Sequence, residues 1–366
     1  MMSAKIPFQE RKTRLRGVLD ILGGSYPGFL FRQPVRDLLP VFHFHDVTQA
    51  YLEPYLAYLA DNGYRTVTSD ALGRFVRDGV RPGPRTVVLC FDDAWGSLWT
   101  VVAPLLRKYG LTAITYAIAG RVPDAEGPRP LEAAEGTNVL ASWPELKALN
   151  DEGVVDVQAH TYSHAMIFCD PQPAGFLSPD SRISYLSMPA INFTPAPVFL
   201  DASMLGAPLY PRRSRMSDAF RYVDDAGARQ ACIDLVHAGG GGTSFFENPA
   251  KQAELFRIVS KARGRVESAE EREAAIWQEL VRSKAVLADK LKSQSVRQIC
   301  FPWGVCGRLA GELVKKAGYE TAVADTLFGK RCAVPQGNPY RIMRLKHPYI
   351  ACLPGAGRKT FFNATC

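Results

Sequence analysis

The sequence predicts an α/β protein built on a mainly parallel sheet, and three observations predict it. From Pro40 onward, short apolar runs alternate with helical patterns, the order that produces crossover connections and parallel strands. One run, "TVVLCF" at 86–91, is apolar at nearly every position, as a strand covered on both faces should be. Three runs end in unusual residues: Asp92-Asp93 after 86–91, His160 after 154–159, and Pro302-Trp303-Gly304 after 296–301. In parallel α/β folds, functional groups gather just beyond the C-terminal ends of the strands. These three ends are therefore expected at one rim.

The elements follow in order. "VFHFHDV" (41–47) reads as a strand, and 51–63 as a helix ended by Gly63. Strands follow at 65–69 and 86–91. The segment 103–110 is a short helix, with Pro104 in its first turn and Gly110 after its end. A fourth strand spans 112–119. The helix at 142–153 opens with Ser142 and has Glu145 three residues on, the pattern of a capping box. The fifth strand is 154–159. The stretch 165–250 is rich in Pro, Gly and Ser and reads as an insertion with little regular structure before a helix near 218–238. Within it, Gly239 to Gly242 lack the Gly-Lys-Ser/Thr of a phosphate loop and read as a turn. A charged amphipathic helix spans about 266–293, with Ile276, Leu280, Leu287 and Leu291 on its apolar side. A strand at 296–301, a helix at 307–318 closed by Gly318, and strand candidates "ETAVA" and "YRIMRL" complete the pattern.

Composition sets the outer bounds. At 366 residues the chain has room for two average domains or one large α/β barrel with insertions. It is 47% hydrophobic and 22% charged, enough for a sizeable core. The net charge of +8 is scattered apart from a knot at Arg212, Arg213 and Arg215. No basic stripe interleaves with aromatics, so nucleic acid is not an expected partner; an anionic substrate or a phospholipid surface fits the charge about as well. Eight cysteines show no CxxC pair, and Cys90 and Cys300 sit in strand-like runs where a thiol behaves as a small hydrophobe. The N-terminus is polar and basic, without a signal-length apolar stretch, and no segment has the length of a membrane span. The expectation is a reduced, cytoplasmic, soluble protein of open oligomeric state.

If the three strand ends share a rim, two imidazoles and a carboxylate converge. That is three ligands for a divalent metal with a fourth position left for water. His160 and His164 are four apart, which on one helical turn would point both rings the same way. A lone HxxxH is more often structural, and Asp-Asp after a strand often only caps a helix. Their coincidence at corresponding strand ends is what points to a metal site.

The motifs, in this order, resemble the polysaccharide deacetylases, the NodB-homology domain of carbohydrate esterase family 4. "CFDDAW" (90–95) looks like the first motif, and "HTYSH" (160–164) matches the second, His-Ser/Thr-x-x-His. "CFPWG" (300–304) is similar to a variant third motif of aromatic-Pro-aromatic-Gly form. "FHFHDV" (42–47) resembles the opening strand of many members, and "ELVRSKAVLADKL" (279–291) the helix before the third motif in that variant. The resemblance covers about 41–164 and 266–345. It implies a distorted (β/α) barrel of the NodB type with a long insertion, about 165–265, between the second and third motifs. An arm at 1–40, the barrel at 41–350 and a tail at 351–366 follow.

Carried over by position, the resemblance implies that Asp93, His160 and His164 bind a divalent metal, most often zinc, and that Asp92 is the general base. The backbone N–H near Trp303 would help form the oxyanion hole, and His347 would be the general acid, although its spacing departs from the usual Leu-x-x-His. His45, Trp95 and Pro302 would line the substrate site. A bound divalent ion acidifies a water and polarises a carbonyl, the two requirements of amide hydrolysis. There are departures. Ala94 replaces the usual Gly, a change of one methyl group. Cys300 stands where an Arg would orient Asp92, and Arg341 or Arg344 from another strand is the candidate substitute. His43 is expected to face away from His45, and His237 has no evident role. The activity implied is removal of an acetyl group from an N-acetylated amino sugar in a glycan or glycan precursor, with an intracellular substrate suggested by the polar N-terminus and the insertion covering the site. The alternatives are an O-acetyl esterase, an amidase or deformylase with the same site, or a decayed carbohydrate-binding protein.

Overall fold

In the computed structural model, which describes residues 23–132, 139–181, 183–194, 196–326 and 329–364, eight strands form one parallel sheet. They are β1 (Val41–Phe44), β2 (Arg65–Thr66), β3 (Thr86–Asp93), β4 (Ala113–Ala117), β5 (Val155–Ala159), β6 (Gln298–Cys300), β7 (Thr321–Val323) and β8 (Leu345–Lys346). Their order is β7-β6-β5-β4-β3-β1-β8, with β2 against the start of β3. The sheet curls until one segment meets both of its edges. Ile342 bridges to Val323 of β7, and Leu345 pairs with Phe42 of β1. Residues 342–346 thus close a distorted (β/α) barrel, and Arg344 sits in the closure.

Every residue of β3 is buried, which accounts for the unbroken apolar run in the sequence. Val88 and Cys90 of β3 share a core with Val41, Ile114, Tyr116, Cys300 and Val323 from the neighbouring strands. Helix α1 (Gln49–Asp61) buries Leu52, Leu56 and Leu59 on one stripe. Helix α2 (Ser69–Asp78) was not expected from the sequence. Leu72, Phe75 and Val76 carry its i, i+3, i+4 pattern, which Gly73 interrupts, and Gly79 closes it at φ 74°. Helix α3 (Ala103–Tyr109) follows a single π-helical turn, Leu98–Val102. Helix α4 (Trp143–Glu152) begins where the capping pattern places it, with the Glu145 carboxylate accepting the Ser142 N–H at 2.8 Å.

Two compact units share the chain. The barrel unit runs to Ser163 and resumes with Trp277–Cys306 and again from Gly311; the second comprises His164–Ile276 and Gly307–Ala310. The second unit has more regular structure than its composition predicts. It holds short antiparallel pairs, such as Met166–Phe168 with Arg212–Ser214, and the helices α5 (Ala226–Ala238) and α6 (Pro249–Val259). Its core gathers Phe168, Leu209, Tyr210, Cys232, Val236 and Leu255. Strands of two or three residues are too short to leave a periodic signal, which is why the segment reads as irregular. Gly240 and Gly241 adopt left-handed φ of 91° and 67° in the turn after α5. The basic knot is no surface patch: Arg215 is 1% exposed and meets Glu267 through two hydrogen bonds of 2.7 and 3.0 Å.

The long helix α7 (Ala269–Leu291) buries Ile276, Leu280, Leu287 and Leu291 as its periodicity predicts. Helix α8 (Arg308–Lys316) follows the third motif. The seven cysteines among the described residues form no disulfide. Among those residues no helix is long and apolar enough to cross a membrane.

Candidate active site

Asp92 and Asp93 end β3, and the backbone splits their directions. Asp92 continues the strand two residues after Cys90, on the same face. There it meets Arg344 of the closing segment through two hydrogen bonds, Nη1 to Oδ1 and Nη2 to Oδ2, each 2.6 Å. Arg344 therefore takes the place of the missing motif arginine, while Arg341 donates to the Cys306 carbonyl at 2.9 Å. Burial alone would raise the Asp92 pKa, but the charge and hydrogen bonds of Arg344 outweigh it and hold the carboxyl well below the usual range.

Asp93 and Ala94 have φ of 72° and 58°, so the chain turns left-handed as it leaves the strand. The expectation that Ala94 adds only a methyl needs correction: it occupies a backbone conformation natural to glycine, at a cost of roughly 1–2 kcal/mol. The Asp93 carboxylate accepts from the Trp95 indole Nε1 at Oδ2 (3.1 Å), and its Oδ1 lies 3.4 Å from His160 Nε2. Trp95, expected to line a substrate site, orients a proposed metal ligand.

His160 extends the β5 ladder, its N–H donating to the Ala117 carbonyl at 2.9 Å. Its Nδ1 is 2.7 Å from the Cys300 carbonyl, and His164 Nδ1 is 3.2 Å from the Leu186 carbonyl. A carbonyl accepts, so both rings carry a proton on Nδ1, which leaves Nε2 as the atom that could ligate an ion. The histidines do not lie on a helical turn. Residues 160–164 form a bent loop with Thr161 at φ 62° and His164 at φ 54°. Convergence comes from anchoring of the loop. The Glu279 carboxylate of α7 accepts the Ser163 N–H at 2.8 Å and the Ser163 hydroxyl, and the Tyr162 N–H donates to the Glu279 carbonyl at 3.0 Å. Sequence reasoning placed Glu279 in a supporting helix and missed this role; a buried acid opposite a serine in the motif was the available signal. Glu279→Leu is expected to orphan the Ser163 N–H and cost about 1–3 kcal/mol in urea denaturation. An unchanged midpoint would mean the loop is held by other contacts.

Asp93, His160 and His164 bring one ligand-type atom each to within 4.8 Å of one another, all three residues buried. His164 is one peptide bond from the pinned Ser163. Two imidazole nitrogens and one carboxylate oxygen are the donor set of a catalytic zinc site, so these residues fit a divalent ion. Burial pushes the His160 pKa down, but Cys300 and Asp93 hold it well above the usual imidazole value, so a divalent ion would take the place of the proton that Nε2 keeps without it. Two other groupings satisfy the same distance, Asp92/His160/Cys300 and His43/His45/Asp92. Both are chemically poorer. Both Asp92 oxygens serve Arg344, and burial pushes the Cys300 thiol up, away from thiolate.

Three further histidines gather by β1. His45 Nε2 lies 3.9 Å from Asp92 Oδ2, with the His45 side chain 57% exposed. His43 stands beside it, ring centroids 5.7 Å apart, and shares a possible ligand group with it. The expectation that His43 faces away is corrected: residues two apart on a strand share a face. His347 stacks on Phe44 at 4.7 Å, its Nδ1 is 3.3 Å from the His43 carbonyl, and its Nε2 is bonded to the Tyr51 hydroxyl. Pro302 is buried at the start of a short turn, Pro302–Gly304, in which Trp303 has φ 55°. Five of the eleven left-handed non-glycine residues among those described, Asp93, Ala94, Thr161, His164 and Trp303, fall within the three motifs, where backbone strain is characteristically stored.

Comparison with known proteins agrees with this geometry. Residues 79–182, which contain both aspartates and both histidines, match the polysaccharide deacetylase family. A putative polysaccharide deacetylase of Bacillus subtilis, YxkH, is 22% identical over 134 residues, 34% of this chain and 43% of the relative. A poly-beta-1,6-N-acetyl-D-glucosamine N-deacetylase of Escherichia coli K12 is 25% identical over 123 residues, 33% of this chain and 18% of the relative. The chain thus spans less than half the length of these curated relatives. The BpsB deacetylase domain of Bordetella bronchiseptica superposes with a TM-score of 0.53 at 17% identity, covering 85% of this chain and 96% of that one. The fold is the distorted (β/α) barrel of the NodB type. The stretch that carries the first two motifs is thus similar to the NodB-homology polysaccharide deacetylases.

Proposed function

We propose that the protein is a metal-dependent hydrolase that removes the acetyl group from an N-acetylated amino sugar in a glycan or glycan precursor. The observation that carries this reading is the division of labour at the end of β3: Asp93 joins His160 and His164 in a ligand set, while Asp92 is held apart and ionised by Arg344. The family match and the Escherichia coli relative support an N-acetylated glycan as the substrate class. Asp93, His160 and His164 would hold the ion, with zinc the best match to two nitrogens and one carboxylate. When bound, such an ion supplies Lewis acidity toward the acyl oxygen and toward water.

The chain's own residues do the rest. Asp92 offers an ionised carboxylate, an acceptor for a proton at its Oδ atoms, and Arg344 fixes its orientation. The backbone N–H at Trp303 is the proposed donor to the developing oxyanion. The acid that protonates the leaving nitrogen was expected on His347. Both His347 nitrogens are engaged, by Tyr51 and the His43 carbonyl, whereas His45 is exposed beside Asp92; we place the acid on His45. Trp95 and Pro302 shape the rim, Trp95 by holding Asp93.

The test is Asp92→Asn. Acetate release from N-acetylglucosamine oligomers should fall about 10²–10⁴-fold, the usual worth of a positioned proton acceptor, with zinc content unchanged. Retained activity would remove Asp92 from its role.

A further inference from the structure

The ring of His164 is oriented within the second unit. Its Nδ1 meets the Leu186 carbonyl, and Leu186 is the middle residue of an isolated 3₁₀ turn, Tyr185–Ser187. So short a turn has little intrinsic stability. Arg212 holds it: Nη1 of Arg212 donates to the Ser187 carbonyl, one residue beyond the acceptor of His164. Arg212 is itself fixed close to the histidine along the chain. It opens the strand Arg212–Ser214, whose Ser214 pairs with Met166, and the Arg215 N–H donates to the Ala165 carbonyl at 2.9 Å. The contacts form a closed circuit from His164 through Met166, Ser214, Arg212, Ser187 and Leu186 back to the imidazole.

Arg212 is an expensive way to fill this position. It is 9% exposed, its Nε is buried without a partner, and burial alone sets its lowered pKa, with no carboxylate contributing. Its neighbours differ: Arg215 pairs with Glu267 and Arg229 with Asp224. A buried guanidinium without an acid is a cost that an apolar side chain would avoid. What an apolar side chain lacks is a donor for the Ser187 carbonyl.

We propose that Arg212 is a positioning residue for the metal ligand His164, clamping the Ser187 carbonyl so that the Leu186 carbonyl fixes the Nδ1–H tautomer and Nε2 is presented to the ion. The proposal rests on the metal reading of Asp93, His160 and His164. It gives residues of the second unit a part in orienting His164.

The test uses the full-length chain and four proteins: wild type, Arg212→Met, Leu186→Gly and Arg229→Met. Leu186→Gly loosens the same turn without touching Arg212, which keeps the test open where Arg212→Met does not fold. Arg229→Met removes a half-buried guanidinium of the same unit that pairs with Asp224, with no bond to Leu186 or Ser187. Long-range proton–nitrogen correlation spectra before zinc addition report the His164 tautomer, and zinc titration against a competing chelator reports affinity. Arg212→Met and Leu186→Gly should mix the tautomers and weaken zinc binding about 10–100-fold, the usual worth of a ligand's outer partner; Arg229→Met should change neither. An unchanged tautomer in Arg212→Met and Leu186→Gly, or an equal loss of affinity in Arg229→Met, overturns the proposal. Failure of the wild type to bind zinc would instead overturn the metal reading, and the tautomer comparison would still decide the role of Arg212.

Discussion

Arg344→Met is expected to destabilise the protein by about 3–5 kcal/mol, because it leaves a buried carboxylate without its counter-charge. Both partners are nearly buried, the side chains of Arg344 and Asp92 being 10% and 5% exposed. The effect should depend on pH with a definite sign. In the wild type the folded-state pKa of Asp92 is depressed. Its contribution to stability is then complete above the unfolded carboxylate value and is lost as pH falls toward the folded one. Without Arg344, burial raises that pKa above the unfolded value, so the folded variant binds a proton more readily than the unfolded chain. The variant should therefore recover stability between pH 7 and pH 5, where the wild type gains nothing from this group. Urea midpoints at the two pH values check this. A parallel response of both proteins would show that the ion pair is not what holds Asp92 ionised. Adding Asp92→Asn to Arg344→Met should restore much of the stability and none of the activity, since removing both partners leaves no orphaned charge.

Asp93→Asn should remove the only anionic member of the ligand set while preserving shape. Loss of a ligand's outer partner weakens metal binding about 10–100-fold, and loss of a charged ligand should exceed that, leaving the variant without bound zinc after gel filtration. Lewis-acid assistance is worth several kcal/mol, and 1.4 kcal/mol is tenfold; acetate release should therefore fall by about 10³-fold or more. Zinc should raise the melting temperature of the wild type and leave that of the variant unmoved, because only a folded-state ligand stabilises by mass action. Zinc-dependent stabilisation surviving in Asp93→Asn would move the ion to a different set of residues.

What the sequence made legible was the chemistry at strand ends. An apolar run that stops at Asp92-Asp93 and an alternating run that stops at His160 announce a rim, because nothing else in a buried parallel strand tolerates such residues. Arg344 was legible as one of two candidate substitutes for the absent motif arginine, but the choice between Arg341 and Arg344 depended on which residue lies in the segment closing the barrel. The path of the HxxxH loop was not legible. Spacing alone suggested a helical turn, whereas a left-handed Thr161 and a carboxylate 116 positions away, Glu279, set the geometry. Helix α2 was hidden by Gly73, and the order of the second unit by strands too short to show a period.

The central claim is tested most directly by anomalous X-ray scattering at the zinc edge from a zinc-soaked crystal of the full chain. The account predicts one strong peak bonded to an Asp93 carboxylate oxygen, His160 Nε2 and His164 Nε2, with Asp92 still paired to Arg344. A peak on His43, His45 and Asp92, or no peak at the Asp93 group, would contradict it.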